Sequence, residues 1–150
     1  CGGSEYNLKN DVVAANVIMK SGLELWQIPR NVYQMMPVTY AAMARRVAPH
    51  GEIGKYLVEN VIRHNNVNTN RPSEYRVLGD SPAIGVMLNE NCGRWRWQPA
   101  PEFDEQMKYV HTGKNRPIRV YETIDDYFIM EDFYAKLADY AEASQDALSD

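Results

Sequence analysis

Cysteine is scarce in this sequence: Cys1 and Cys92 are its only two, too few for a disulfide framework or a cysteine metal cluster. Histidine occurs three times in 150 residues, and no cysteine/histidine metal spacing appears. No apolar run approaches the roughly 20 residues of a membrane span. No basic-then-apolar leader opens the chain, and a start at Cys1-Gly2-Gly3 without methionine reads as processed or truncated. Glycine-rich phosphate loops and internal repeats are also missing. Basic residues are not in excess: the 16 Lys and Arg are spread through the chain and the formal net charge is -4, which argues against nucleic acid as a partner. The expected partners therefore include neither nucleic acid nor membrane.

Of the two cysteines, Cys1 has one chemical reading: an N-terminal nucleophile whose own α-amine serves as base. A cut end that falls at cysteine is the plainer account, because no partner groups for such a nucleophile can be named. Composition sets the rest of the frame. With 45% hydrophobic and 24% charged residues, the chain is one ordinary globular domain or a piece of a larger one.

The informative stretch is Gly3-Ser4-Glu5-Tyr6-Asn7-Leu8-Lys9-Asn10-Asp11, followed by the apolar Val12 to Ile18. Glu5 and Asn7 alternate as in an extended segment, so their side chains leave the backbone on one side. A carboxylate acceptor beside a carboxamide suits neighbouring sugar hydroxyls. The bland alternative is two polar residues tidying a loop ahead of a helix. Asn10 or Asp11 then caps a helix over Val12–Lys20, and Ser21-Gly22 end it.

Downstream, Leu23 to Ile28 alternates and stops at Pro29, predicting a strand. Asn31 and Tyr33 follow its C-terminal end, where open α/β sheets place ligands, though loop packing explains them equally well. Helices are predicted at Pro37–Ala48, with Met43, Ala44 and Val47 on one face, and at Glu52–His64, with Ile53, Tyr56, Leu57, Val61 and Ile62 as the buried stripe. The polar run from His64 to Pro72 is long enough for a rim or lid. His64 itself is more simply a charge partner for the helix C-terminus.

Leu78 to Leu88 is the second notable stretch. Pro82 sits in the first turn of an apolar helix, Pro82–Asn89, with Asp80 or Ser81 as cap. A helix cap accounts for Asp80; a metal-binding carboxylate held at a rigid helix start is the functional reading. Arg94 to Gln98 alternates Trp and Arg, either stacking an aromatic ligand or laying Arg stems over indoles. Short strands are predicted at Tyr109–His111 and Pro117–Tyr121. Asp125–Ala141 reads as the last helix, with Phe128, Ile129, Phe133, Leu137 and Tyr140 inward. Residues 1–141 form the domain portion, and 142–150 a polar tail expected to fray. Alternating helix and strand imply an α/β fold, an open and mostly parallel sheet with flanking helices.

Glu5-Tyr6-Asn7, then Asn10-Asp11 with the Ala14-Ala15 helix, Ser21-Gly22, a strand ending at Pro29, and Asp80-Ser81-Pro82-Ala83 follow one another in a fixed order. That order resembles the C-terminal half of the inosine–uridine-preferring nucleoside hydrolases, from Gly3 to about Leu88 and more loosely to Leu137. Neither motif is specific alone; their order and separation carry the resemblance. It implies that Glu5 and Asn7, with Asn31 nearby, bind the sugar. It also implies that Asp80 ligates a calcium ion and so shares in catalysis. The implied activity is hydrolysis of the N-glycosidic bond of a nucleoside or related glycoside by metal-activated water, through an oxocarbenium-like transition state. Glu5, Asn7 and Asp80 should then meet in one pocket, on the order of 10 Å across or less.

This sequence departs from the family in two places. The aspartate-rich motif that supplies most calcium ligands is not in it, and one aspartate does not satisfy an ion that takes about six to eight oxygens. Calcium is therefore expected only together with an N-terminal half or companion chain, and a homo-oligomer is expected as well. Gly79 stands where a histidine often precedes the metal aspartate, which keeps open a catalytically inactive sugar-binding relative.

Overall fold

The computed structural model describes residues 8, 10–68 and 73–147. In chain order its elements are α1 (Val12–Lys20), β1 (Trp26–Gln27), α2 (Arg30–Tyr33), β2 (Pro37–Thr39), α3 (Tyr40–Arg46) and α4 (Gly51–Asn68). They continue with β3 (Tyr75–Val77), α5 (Ser81–Leu88), β4 (Gly93–Pro99), β5 (Glu102–Phe103), β6 (Tyr109–Val110), β7 (Pro117–Ile124) and α6 (Asp126–Asp146). The α/β class is as expected. The chain divides into two compact units, Cys1–Val32 with Gly93–Thr123, and Tyr33–Cys92 with Ile124–Asp150. No helix among the described residues is long and apolar enough to cross a membrane.

The first unit is built on a three-stranded sheet of order β1-β7-β4. β1 runs parallel to β7, with Trp26 opposite Arg119 and Gln27 opposite Val120. β4 runs antiparallel to β7: a Cβ on Gly93 would stand 2.4 Å from the Thr123 carbonyl, while the Ala100 N–H donates to the Arg116 carbonyl at 2.9 Å. Ile118 and Tyr121 of β7 are fully buried. On that sheet the Arg119 guanidinium lies 4.1 Å from the ring centres of both Trp26 and Trp95, a cation–π stack. The tryptophan–arginine alternation of β4 thus meets an arginine of β7, while Arg96 pairs with Glu122 at 3.0 Å.

Helix α1 starts as its sequence dictates. Asp11 caps it, accepting from the Ala14 N–H at 2.8 Å, and the Ser21 N–H donates to the Ile18 carbonyl at its end. Arg116 secures the exit by donating to the carbonyls of Met19 (2.7 Å) and Leu23 (2.7 Å).

In the second unit β2 and β3 pair antiparallel, Val38 opposite Arg76. Val38, Met43, Val47, Val58, Tyr134 and Leu137 form the core, drawn from β2, α3, α4 and α6 with Val47 just past α3. Pro37 opens β2 rather than a helix, which corrects the helix expected from Pro37. The signal that decides it is Thr39, whose extended backbone and Oγ1, accepting from the Ala42 N–H at 3.1 Å, set the start of α3 at Tyr40. The helix at Glu52–His64 forms and continues to Asn68 through part of the run expected to be a loop, and Leu57, Val61 and Ile62 of its expected stripe pack against the core. Ile53 and Tyr56 are exposed, at 42% and 62%, and Val58 and Asn65 face inward instead. The Asn65 amide donates to Ser73 Oγ at 3.0 Å and the Tyr75 carbonyl at 3.1 Å, which satisfies a buried polar group. In α6 the inward face is Ile129, Tyr134, Leu137 and Ala141; Tyr140 is exposed, and the helix continues past Ala141 to Asp146.

Arg46 and Glu131 join α3 to α6 by a two-pronged pair, Nη1 to Oε1 at 2.6 Å and Nη2 to Oε2 at 2.5 Å, with the guanidinium 3.8 Å above the Tyr134 ring. The arginine holds the Glu131 carboxyl below its ordinary range. A carboxylate depressed in the folded state stabilises fully above its unfolded pKa and loses that contribution as pH falls through the folded pKa. The difference in melting temperature between wild type and Arg46→Gln is therefore expected to be largest near neutrality and to close in acid. Thermal melts across pH check it, and a difference that widens in acid would contradict the pairing. Both side chains are about two-fifths exposed, so the effect should be modest.

Candidate functional site

Of the four residues assigned to substrate or metal from the sequence, Glu5 and Asn7 lie outside the described residues. Asn31 is exposed on α2 in the first unit, and Asp80 is exposed at the start of α5 in the second.

Asp80 occupies the N-cap position of α5 without acting as a side-chain cap. A capping residue holds an extended backbone so that its side chain turns back on the first free N–H groups. Asp80 is helical instead, with φ -88° and ψ -19°, and makes no side-chain capping hydrogen bond; its backbone carbonyl accepts from the Ala83 N–H at 3.2 Å. Pro82 in the first turn has no N–H to be capped. The carboxylate is thus exposed and not consumed by the helix start, which removes the plainest structural account of the residue.

The segment before Asp80 is fixed from two sides. The Leu78 N–H donates to the Met36 carbonyl at 2.9 Å, and the Ser81 N–H to the Leu78 carbonyl at 3.1 Å. The Tyr33 ring closes over Gly79: a Cβ at that position would lie 3.0 Å from Tyr33 Cδ2 and 3.5 Å from Cε2. Tyr33, which the sequence placed after β1 together with Asn31, thus reaches the residue next to Asp80. No local pattern in the sequence announces that pairing, because the two positions are joined only by the β2–β3 ribbon and its flanks.

A side chain at position 79 would therefore crowd the Tyr33 ring, which would have to give way by a few tenths of an ångström. Gly79→His is expected to lower unfolding free energy by about 1–3 kcal/mol, the usual range for overpacking. Much of that loss should disappear when Tyr33→Ala is added. Urea unfolding of the two single variants and the double variant measures the coupling, and simple additivity would mean that Tyr33 does not close the position.

Calcium fits poorly on what is described. Among the described residues no group of three or more His, Cys, Asp or Glu side chains comes together to hold a metal. Asp80 offers one carboxylate where calcium takes about six to eight oxygens. These residues do not form a calcium site by themselves.

Solved structures that share this fold include two nucleoside hydrolases. A purine-preferring ribonucleoside hydrolase from Gardnerella vaginalis is similar with a TM-score of 0.77 and 16% identity, over 93% of this chain and 48% of the hydrolase. A plant nucleoside hydrolase is similar with a TM-score of 0.74 and 16% identity, over 89% of this chain and 47% of the plant protein. The chain thus spans about half the length of each. No family model and no curated protein matches it. The class this defines is an α/β fold of the nucleoside-hydrolase type. Within that class the likeness is to a portion of the two hydrolases, at an identity that speaks for fold alone.

Proposed function

We propose that this chain forms part of a hydrolase for the N-glycosidic bond of a ribonucleoside or related glycoside. The observation that carries the reading is the uncapped, exposed Asp80 carboxylate, standing at a helix start within a nucleoside-hydrolase fold. In this reading Glu5 and Asn7, with Asn31, accept and donate hydrogen bonds to the sugar hydroxyls. Asp80 supplies one anionic oxygen ligand to a cation site completed by residues outside those described. Anionic groups around the sugar favour an oxocarbenium-like transition state over the neutral ground state, so their effect falls on turnover more than on binding.

The test is release of free base from ribonucleosides by the assembled protein, compared with Asn7→Ala. Asn7→Ala is expected to raise KM and lower kcat/KM by about tenfold to a hundredfold, as for loss of one or two hydrogen bonds to the sugar. Unchanged kinetics in that variant would remove Asn7 from the site. A second reading, a sugar-binding relative without turnover, is favoured by Gly79 and by the missing carboxylate cluster among the described residues. It predicts riboside binding by calorimetry with no base released.

A further inference from the structure

Tyr33 carries a hydroxyl that the fold does not use. The residue ends α2 and is half-buried, and its ring is held against Gly79 by the β2–β3 ribbon, in which Pro37 stands opposite Val77 and the Leu78 N–H reaches the Met36 carbonyl at 2.9 Å. The ring atoms nearest a Cβ at position 79 are Cδ2, Cε2 and Cγ, so the packing engages the flank of the ring and leaves the hydroxyl outside it. Elsewhere tyrosine hydroxyls are taken up by the structure: Tyr40 accepts from the Asn65 amide, and Tyr109 from the Gln27 amide at 3.0 Å. The Tyr33 hydroxyl has no hydrogen-bond partner among the described residues. Its neighbour in the chain direction is Asp80, whose carboxylate is likewise exposed and makes no capping bond. An aromatic ring with a free donor thus adjoins a free anionic acceptor, both in the second unit.

We propose that Tyr33 is the base-recognition residue of the site, its hydroxyl donating a hydrogen bond to a ring nitrogen or carbonyl oxygen of a nucleobase whose sugar lies at Asp80. The inference rests on the role given to Asp80 above. The two groups divide a nucleoside by its chemistry. A carboxylate only accepts, which suits sugar hydroxyls and a cation, whereas a base presents a flat face and acceptor atoms that a phenol ring and its O–H can meet. Because the ring is already held, engaging a ligand costs little further ordering. In hydrolysis the C1′–N bond breaks with its electron pair passing to the base, the water oxygen bonds to C1′, and the water's proton ends on the base. The base is most negative while that bond is breaking, so a hydrogen bond to it strengthens on the way to the transition state and acts on kcat as well as on binding.

The experiment compares wild type and Tyr33→Phe in the full-length protein on inosine, uridine and p-nitrophenyl β-riboside. Phenylalanine keeps the ring against Gly79, so the urea midpoint should not move. Tyr33→Phe is expected to lower kcat/KM for the nucleosides by about tenfold to a hundredfold, the scale of a hydrogen bond to a group gaining charge. For the nitrophenyl riboside it should stay within about threefold, because nitrophenolate leaves without help from a donor. An equal loss on all three substrates, or no loss on any, would overturn the proposal while leaving hydrolysis intact. If wild type releases no base at all, hydrolysis is the reading that fails, and calorimetry decides Tyr33 separately. Inosine should then bind Tyr33→Phe about tenfold more weakly than wild type, with ribose unchanged. Equal inosine affinity in the two proteins, or no inosine binding by wild type, would overturn the proposal.

Discussion

Gly54→Ala is expected to lower the melting temperature by about 4–8 °C, although alanine in a helix interior ordinarily stabilises by about 1 kcal/mol over glycine. The sign is reversed by one close approach. A Cβ on Gly54 would stand 2.0 Å from the Val47 carbonyl oxygen and 3.1 Å from its carbon. Both are backbone atoms, so no side chain can rotate away, and Val47 is itself completely buried in the core of the second unit. The Gly54 N–H also donates to the His50 carbonyl at 3.2 Å, which fixes the first turn of α4 where the contact occurs. Relief requires α4 to move off the end of α3, an overpacking cost of about 3 kcal/mol. Gly22→Ala is the control: nothing lies within 4 Å of a Cβ there, and its effect should stay within about 0.5 kcal/mol. Calorimetric melts of the two variants decide it. A Gly54→Ala protein that melts at or above wild type would show that the helices do not meet this way.

Gly54 also shows where sequence patterning stopped being informative. Apolar spacing in α4 placed Leu57, Val61 and Ile62 against the core but also favoured Ile53 and Tyr56, which are exposed, while the most buried positions are Gly54, Val58 and Asn65. A glycine contributes nothing to a hydrophobic pattern and an asparagine argues against burial. One is inward because two backbones touch, the other because its amide finds Ser73 and Tyr75. Both causes are tertiary. The same holds for β2, where Pro37 was consistent with either a helix start or a strand start and Thr39 decided between them. By contrast α1 forms over Val12–Lys20 as expected, because its cap Asp11 and its terminator Ser21 act within a few residues of the helix they bound. At the site, Asp80 was legible as a residue at a helix start. That its carboxylate makes no cap depends on a backbone angle, and that Tyr33 covers Gly79 depends on chain crossing, neither of which residue type encodes.

Asp80→Ala is expected to lower kcat for nucleoside hydrolysis by the assembled protein by a factor on the order of 100 to 1000, the scale of losing one preorganised electrostatic group. Stability should hardly change. If Asp80 were a cap, alanine would cost about 1 kcal/mol. Its helical backbone and missing capping bond mean that no such interaction is lost, and the exposed position leaves no cavity. The cost should therefore remain within about 0.5 kcal/mol. Asp80→Asn separates charge from shape. A carboxamide keeps the size and one oxygen but removes the negative charge, so a role as an anionic ligand predicts a loss close to that of alanine. A role as a neutral hydrogen-bond acceptor predicts near-complete retention. Calcium added to wild type, Asp80→Asn and Asp80→Ala in the same assay supplies the remaining comparison: only wild type should respond in proportion to the ion. An alanine variant that is as stable and as active as wild type, with the same calcium response, would return Asp80 to the role of an exposed residue at a helix start. A variant that loses stability and activity together would instead assign it to the fold of α5.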